Sequence, residues 1–141
     1  MQKLLFILLV FVSLACKAQV YADPDQSFTL SKQTNKPVLL VFSGTDWCVP
    51  CMQFERHILS DTVFLNYAKG HLVILKADFP QKAKVAPNLK RQYELLADQY
   101  DPNGDFPLIV LLDTDKKNIG NVLFIDQGVF EFIKQVQRLI P

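Results

Sequence analysis

The sequence predicts an α/β domain with one mixed central sheet of about four strands and helices on both of its faces. Three observations carry that expectation. Apolar runs rich in β-forming residues recur at Val38–Phe42, Leu72–Ala77 and Leu108–Leu112, with a fourth at Ile119–Ile125. Stretches with apolar residues at helical spacing stand before, between and after them. Helical sequence separates the first two runs, so they lie parallel through a right-handed crossover. A short polar turn, Asp113–Asn118, joins the last two as an antiparallel hairpin.

Length and charge set the outer bounds. A chain of 141 residues holds one domain, and 50% hydrophobic with 21% charged residues is a globular composition. Lys plus Arg number 15 against 14 acids, a net charge of +1. No strong field exists to draw in nucleic acid or an anionic membrane, and nucleic acid is not an expected partner. Three cysteines are too few for a disulfide-stapled miniprotein or a four-cysteine zinc site.

Residues 1–18 read as a leader and residues 19–141 as the domain. Lys3 is a short basic start, and Leu4–Val12 is an unbroken apolar run. A helix from Leu4 to Ala15 rises only about 18 Å, too short for a hydrocarbon core of about 30 Å. The segment is therefore expected to be a secretory signal. Cys16-Lys17-Ala18 fits ordinary cleavage before Gln19. Ser13-Leu14-Ala15 before Cys16 fits, less well, a lipoprotein signal that ends before a lipidated Cys16. Export is expected, with the chain either soluble or anchored through Cys16. Cleavage after Ala18 would leave Cys48 and Cys51 alone, and one close pair in an exported chain calls for redox chemistry.

The elements follow in order. Asp23-Pro24 starts a short helix that Asn35-Lys36-Pro37 stops. Val38–Phe42 is a strand buried on both faces. Ser43–Asp46 is a loop, and a helix begins in Cys48-Val49-Pro50-Cys51, with Phe54, Ile58 and Leu59 as its apolar residues. Ser60 is placed to cap a second helix over Asp61–Ala68, ended by Gly70. Leu72–Ala77 is the next buried strand. Phe79–Asn88 is a loop with two prolines. Leu89, Tyr93, Leu96 and Tyr100 mark one face of a helix, and Asp101-Pro102-Asn103-Gly104 is a turn. After the terminal hairpin, Gln127–Ile140 forms an amphipathic helix with Phe130, Ile133, Val136, Leu139 and Ile140 on its stripe.

The chemistry concentrates in Trp47-Cys48-Val49-Pro50-Cys51. A thiol at a helix start faces unpaired N–H groups and the positive end of the dipole, and both favour thiolate. Two intervening residues let the second sulfur reach the first across one turn. Pro50 stiffens that turn at a position where its missing N–H costs nothing. Cys48 is thus expected to be the exposed nucleophile and Cys51 the more buried resolving thiol. Glu55 stands four residues past Cys51 and seven past Cys48, on one helix face.

A Trp-Cys-x-Pro-Cys motif between a strand and a helix, with this element order over Ser27–Ile140, resembles the thioredoxin superfamily. Asp46 to Cys51, followed by Phe54-Glu55 and Ser60-Asp61, more closely resembles exported members related to the C-terminal domain of DsbD-type thiol:disulfide interchange proteins. The resemblance implies a thioredoxin fold and a protein-disulfide oxidoreductase, reducing or isomerising, whose only redox group is the Cys48–Cys51 pair, with no other cofactor and no metal. It implies a periplasmic place in a bacterial envelope, disulfide-containing protein substrates and a membrane or thioredoxin-like electron donor. It makes Cys48 the attacking and Cys51 the resolving cysteine, and Trp47 the aromatic shield. Glu55 becomes the helix acid that raises the cysteine pKa. Phe106-Pro107 becomes the cis-proline segment whose backbone pairs with substrate. Phe42 stands where many relatives carry a buried Asp, so proton handling passes to water, Glu55 or Lys76. Phe106 is bulkier than the residue usual before the cis-proline, and Leu108 replaces the usual Thr after it.

Two other readings compete. The fold could be a binding module presenting the Phe106-Pro107 groove, with a structural CxxC. Cys48 and Cys51 could instead be half of a metal site in a metal chaperone, completed by His57 or Asp46.

Overall fold

The computed structural model describes residues 18–141. The candidate leader up to residue 17, with Cys16, lies outside the described residues.

Residues Val20–Tyr21 form a short strand β1, followed by helix α1 (Pro24–Thr34) and strand β2 (Val38–Ser43). Helix α2 (Val49–Phe54) runs straight into a π-helical turn at Glu55–Leu59, and α3 (Thr62–His71) follows. Strand β3 (Val73–Asp78), α4 (Pro87–Tyr100), the hairpin strands β4 (Leu108–Leu112) and β5 (Asn118–Asn121), and α5 (Val129–Leu139) complete the chain. The sheet has five strands in the order β1-β3-β2-β4-β5. β3 is parallel to both β1 and β2, and β4 is antiparallel to both β2 and β5.

The mixed sheet and the crossover match the expectation, and the strand count rises from about four to five because of β1. Two residues are too few to show a period. Val20 and Tyr21 become strand only because the edge of β3 offers Ile74 and Leu75 as partners. The last strand is shorter than the apolar run Ile119–Ile125, ending at Asn121. Val122 beyond it still donates its N–H to Ile109 O of β4 at 2.9 Å, and then the Gln135 side chain takes the Leu123 N–H at 3.1 Å.

Helix ends follow local chemistry. Asp23 caps α1 by accepting the Gln26 N–H, and Asn35 closes it in the left-handed conformation. The cap of α3 is Asp61, one residue past the expected Ser60. Its Oδ1 accepts the N–H groups of Val63 and Phe64 at 2.7 and 3.3 Å. Ser60 closes the preceding turn instead, its N–H donating to Glu55 O. Gly70 sits inside α3, because Leu72 has the first extended backbone there and its N–H still reaches Ala68 O. Asp61→Ala should therefore cost about 1 kcal/mol, as other cap removals do, measurable by urea denaturation.

Two apolar layers enclose the sheet. Leu39, Val41, Ile74, Ile109 and Leu111 face α2, α3 and α5, meeting Phe54, Phe64, Phe132 and Val136. Leu40, Phe42, Leu75, Val110 and Leu112 face α1 and α4, meeting Phe28, Tyr93 and Leu96. β2 lies in the middle, buried along its whole length. Its C-terminal end delivers the chain to the Cys pair. On α5, Phe132 is buried, whereas Phe130, expected on the stripe, is 67% exposed. The helix starts at Val129, so its inward stripe runs through Val129, Phe132, Ile133 and Val136.

Candidate active site

The chain leaves β2 at Ser43 and turns tightly. The N–H groups of Trp47 and Cys48 both donate to Gly44 O, at 3.2 and 2.9 Å. A Cβ on Gly44 would run into the Trp47 indole, so this close approach favours glycine. Cys48 then caps α2. Its backbone is extended, and its Sγ accepts the Cys51 N–H at 3.2 Å. Pro50 occupies the first helical turn. Cys48 and Cys51 are joined by a disulfide with their Cα atoms 5.2 Å apart. Cys48 is not exposed as expected: it is 5% accessible against 2% for Cys51, because each bonded sulfur covers part of the other.

An aromatic group stands beside the disulfide. Trp47 Nε1 donates to Phe79 O at 2.7 Å, and its ring meets Phe106 edge-on at 5.2 Å. Phe79 in turn meets Phe106 at 5.7 Å. The Phe106–Pro107 peptide bond is cis. Leu108 pairs with Phe42, which puts Pro107 at the same end of the sheet as the start of the Cys loop. Sequence reasoning places Phe79 only in a loop. Its role shows itself through a backbone carbonyl, for which side-chain pattern carries no signal.

Asp46 ties the Cys loop to the segment after β3. Its carboxylate accepts the N–H groups of Gln81, Lys82 and Ala83 at 2.8, 2.7 and 3.3 Å. These bonds, Gln81 foremost, hold its pKa below the usual carboxylate value. His57 lies in the π-helical turn that continues the Cys helix, its Nδ1 2.7 Å from Asp126 Oδ1. Neither residue offered as a metal partner is thus grouped with the cysteines, and among the described residues no three potential metal ligands cluster.

Glu55 lies one turn past Cys51, its N–H donating to Cys51 O. The carboxylate pairs with Lys76 Nζ at 2.8 Å, and the Lys76 side chain is only 16% exposed. A pocket of about 380 Å³ lies here, lined by Cys51, Glu55 and Lys76 with Ser43, Thr45, Met52, Arg56 and Ser60. Glu55 and Lys76, two of the groups expected to handle protons, are therefore brought together beside the buried sulfur. Phe42 is fully buried in the α1/α4 layer and has no proton to exchange.

A family model described as thioredoxin-like matches residues 19–114. The chain belongs to the thioredoxin-like family. Among its curated relatives, the disulfide bond reductase DsbH of Chlamydia pneumoniae is 33% identical over 110 residues, covering 78% of this chain and 66% of the relative. The thiol:disulfide interchange protein DsbD of Vibrio vulnificus (strain CMCP6) is 38% identical over 116 residues, 82% of this chain but 18% of that one. A solved structure titled DsbH oxidoreductase superposes with a TM-score of 0.81 at 29% identity, covering 89% of this chain and 85% of that one. The thioredoxin-like chain thus spans slightly under two thirds of DsbH and under a fifth of DsbD. The resemblance read from the Cys motif and element order holds in both sequence and fold.

Proposed function

We propose that this thioredoxin-like chain is an exported thiol:disulfide oxidoreductase that reduces, or isomerises, disulfides of envelope proteins. The observation that supports this most is the place of Cys48. Its sulfur caps a helix, accepts a backbone N–H and is bonded to a second cysteine one turn away. In the reduced protein the same N–H stabilises a Cys48 thiolate. That thiolate attacks one sulfur of a substrate disulfide, forming a mixed disulfide and releasing the other substrate sulfur as a thiolate that takes a proton. Cys51 then loses its proton and attacks the Cys48 sulfur. The second substrate sulfur leaves, and two electrons have passed from the cysteines to the substrate. The cis segment Phe106-Pro107 supplies backbone for pairing an extended substrate strand, and Trp47 shields the sulfurs. No group beyond the Cys48–Cys51 pair is required. A membrane or thioredoxin-like electron donor returns the pair to the dithiol. Residues 1–18 direct export, and Cys16 is the anchor if the lipoprotein route is used.

Insulin reduction in the presence of dithiothreitol tests the activity, and absence of catalysis would sink it. Glutathione equilibration with Trp47 fluorescence gives the potential. A value like that of thioredoxin, about −270 mV, supports a reductase, and one like that of DsbA, about −120 mV, makes the protein an oxidant. Mass spectrometry of the protein from bacterial envelopes decides between cleavage before Gln19 and acylation at Cys16.

The Glu55–Lys76 pair carries the proton from Cys51 in this reading, and Lys76 offsets the field that Glu55 alone would exert. The two single variants should then act in opposite directions. Glu55→Gln leaves an uncompensated ammonium and moves the rise of thiolate ultraviolet absorbance to lower pH. Lys76→Met leaves an uncompensated carboxylate and moves it to higher pH. Shifts of the same sign in both variants would remove the pair from the mechanism.

A further inference from the structure

A second concavity, about 550 Å³, opens beside the aromatic group, between the end of β3, the loop 79–86 and the start of α4. Its walls are apolar, with Phe79, Pro80, Val85 and Tyr93 among them, and Lys84 and Lys90 stand in its lining. That volume suits one or two side chains of a bound segment. Asp78 is the one carboxylate in the lining, and its Oδ1 already accepts the Thr45 N–H at 3.0 Å. Lys90 is 3.9 Å from Glu94, but both side chains are more than half exposed, so the pair is weak. Lys84 has no carboxylate within salt-bridge distance among the described residues, whereas the charge of its neighbour Lys82, outside the lining, is opposed by the Asp46 carboxylate that accepts the Lys82 N–H. The lining thus sets two lysines against one carboxylate that is already hydrogen-bonded, so its excess charge is positive.

The groove is held in shape from the redox side. Asp46 binds three N–H groups of the loop, and Trp47 binds Phe79 O. Phe79 is shared: it touches Tyr93 within the groove at 6.0 Å and Phe106 at the cis-proline at 5.7 Å. A strand pairing with the Phe106 backbone therefore has the groove as its next neighbour.

We propose that this groove docks an extended segment of the disulfide-bearing partner, with an apolar side chain seated between Phe79, Val85 and Tyr93 and acidic residues set against Lys84 and Lys90. The assignment rests on the oxidoreductase reading and adds to it a preference for acidic and apolar residues a few positions from the partner's cystine. The loop is fixed in advance by Asp46 and Trp47, so little ordering opposes docking.

Reduced full-length protein would be mixed with three peptide disulfides that share one cystine core and one apolar residue and carry acidic, neutral or basic flanks. The acidic peptide should be reduced about tenfold faster than the neutral one at low salt, and the basic one slowest. High salt should erase the order. The double substitution Lys84→Glu with Lys90→Glu should invert it, while the rate with a small uncharged aromatic disulfide stays unchanged. The same charge change at Lys69 and Lys117, on α3 and in the β4–β5 turn, should leave the order intact. Equal rates for the three wild-type reactions, or the same inversion by the remote pair, would overturn the docking site. Failure to reduce both the peptides and the small disulfide would overturn the oxidoreductase reading itself, and the docking site with it.

Discussion

Cys51→Ser should react once with a disulfide substrate and then stop, held as a mixed disulfide through Cys48. The wild-type resolving sulfur is one helical turn from Cys48 and already bonded to it in the oxidised form. Attack within one molecule replaces a bimolecular encounter, so removing the Cys51 thiol should slow turnover on the order of 10³-fold or more. The Cys48 capping position is untouched by the change, and the backbone N–H at the substituted position can still donate to the Cys48 sulfur. First-step reactivity should therefore persist, visible as a one-to-one substrate adduct by mass spectrometry. Cys48→Ser should lose both steps, because the sulfur that caps the helix and accepts the Cys51 N–H is gone and the remaining thiol lacks that site. The opposite pattern, adducts with Cys48→Ser and none with Cys51→Ser, would exchange the two roles. Adducts with neither, together with no insulin reduction by wild type, would favour a binding module with a structural disulfide.

The parts of this fold legible in sequence are those in which a side-chain pattern repeats. β2 and β3 stand out as apolar runs because both their faces are covered. α4 stands out by Tyr93 and Leu96, which are buried where the period puts them. The Cys motif is legible because cap, proline and spacing coincide in Cys48 to Cys51. The cis segment is legible only by resemblance, since nothing in Phe106-Pro107 as a dipeptide distinguishes cis from trans. What escapes lies in the backbone or depends on distant partners. β1 exists through the edge of β3, Phe79 joins the site through its carbonyl oxygen, and Asp46 acts on amides about 35 residues away along the chain. Spacing puts Glu55 on the correct helix face, but its ion pair with Lys76 requires the relative position of the π-helical turn and β3. Lys76 itself is visible as a lone charge in an apolar strand, a signal that it needs a partner.

Two phenylalanines two residues apart on α5 should give opposite results. Phe132 is fully buried, packed against Phe54 at 5.3 Å and Phe64 at 5.5 Å, and so joins α5 to both the Cys helix and α3. Phe132→Ala removes a ring from a layer that cannot fully collapse around the gap and should cost about 3–5 kcal/mol. For a domain whose whole stability is about 5–15 kcal/mol, that loss should lower Tm by about 10 °C or more. Phe130 is 67% exposed, and Phe130→Ala should stay within about 0.5 kcal/mol of wild type. Urea denaturation of the two variants checks the pair directly, and comparable losses would mean that α5 is rotated about its axis from the orientation described. Because Phe54 also meets Phe124 at 5.1 Å, Phe132→Ala should loosen the Cys helix while leaving that second contact. Faster amide exchange at Cys51 and Met52 than in β2 would locate the damage there. The consequence for activity follows from the same contact: Cys51 is held in place by the helix that Phe54 and Phe132 anchor. Its attack on Cys48 should therefore slow in this variant even at temperatures where the protein remains folded.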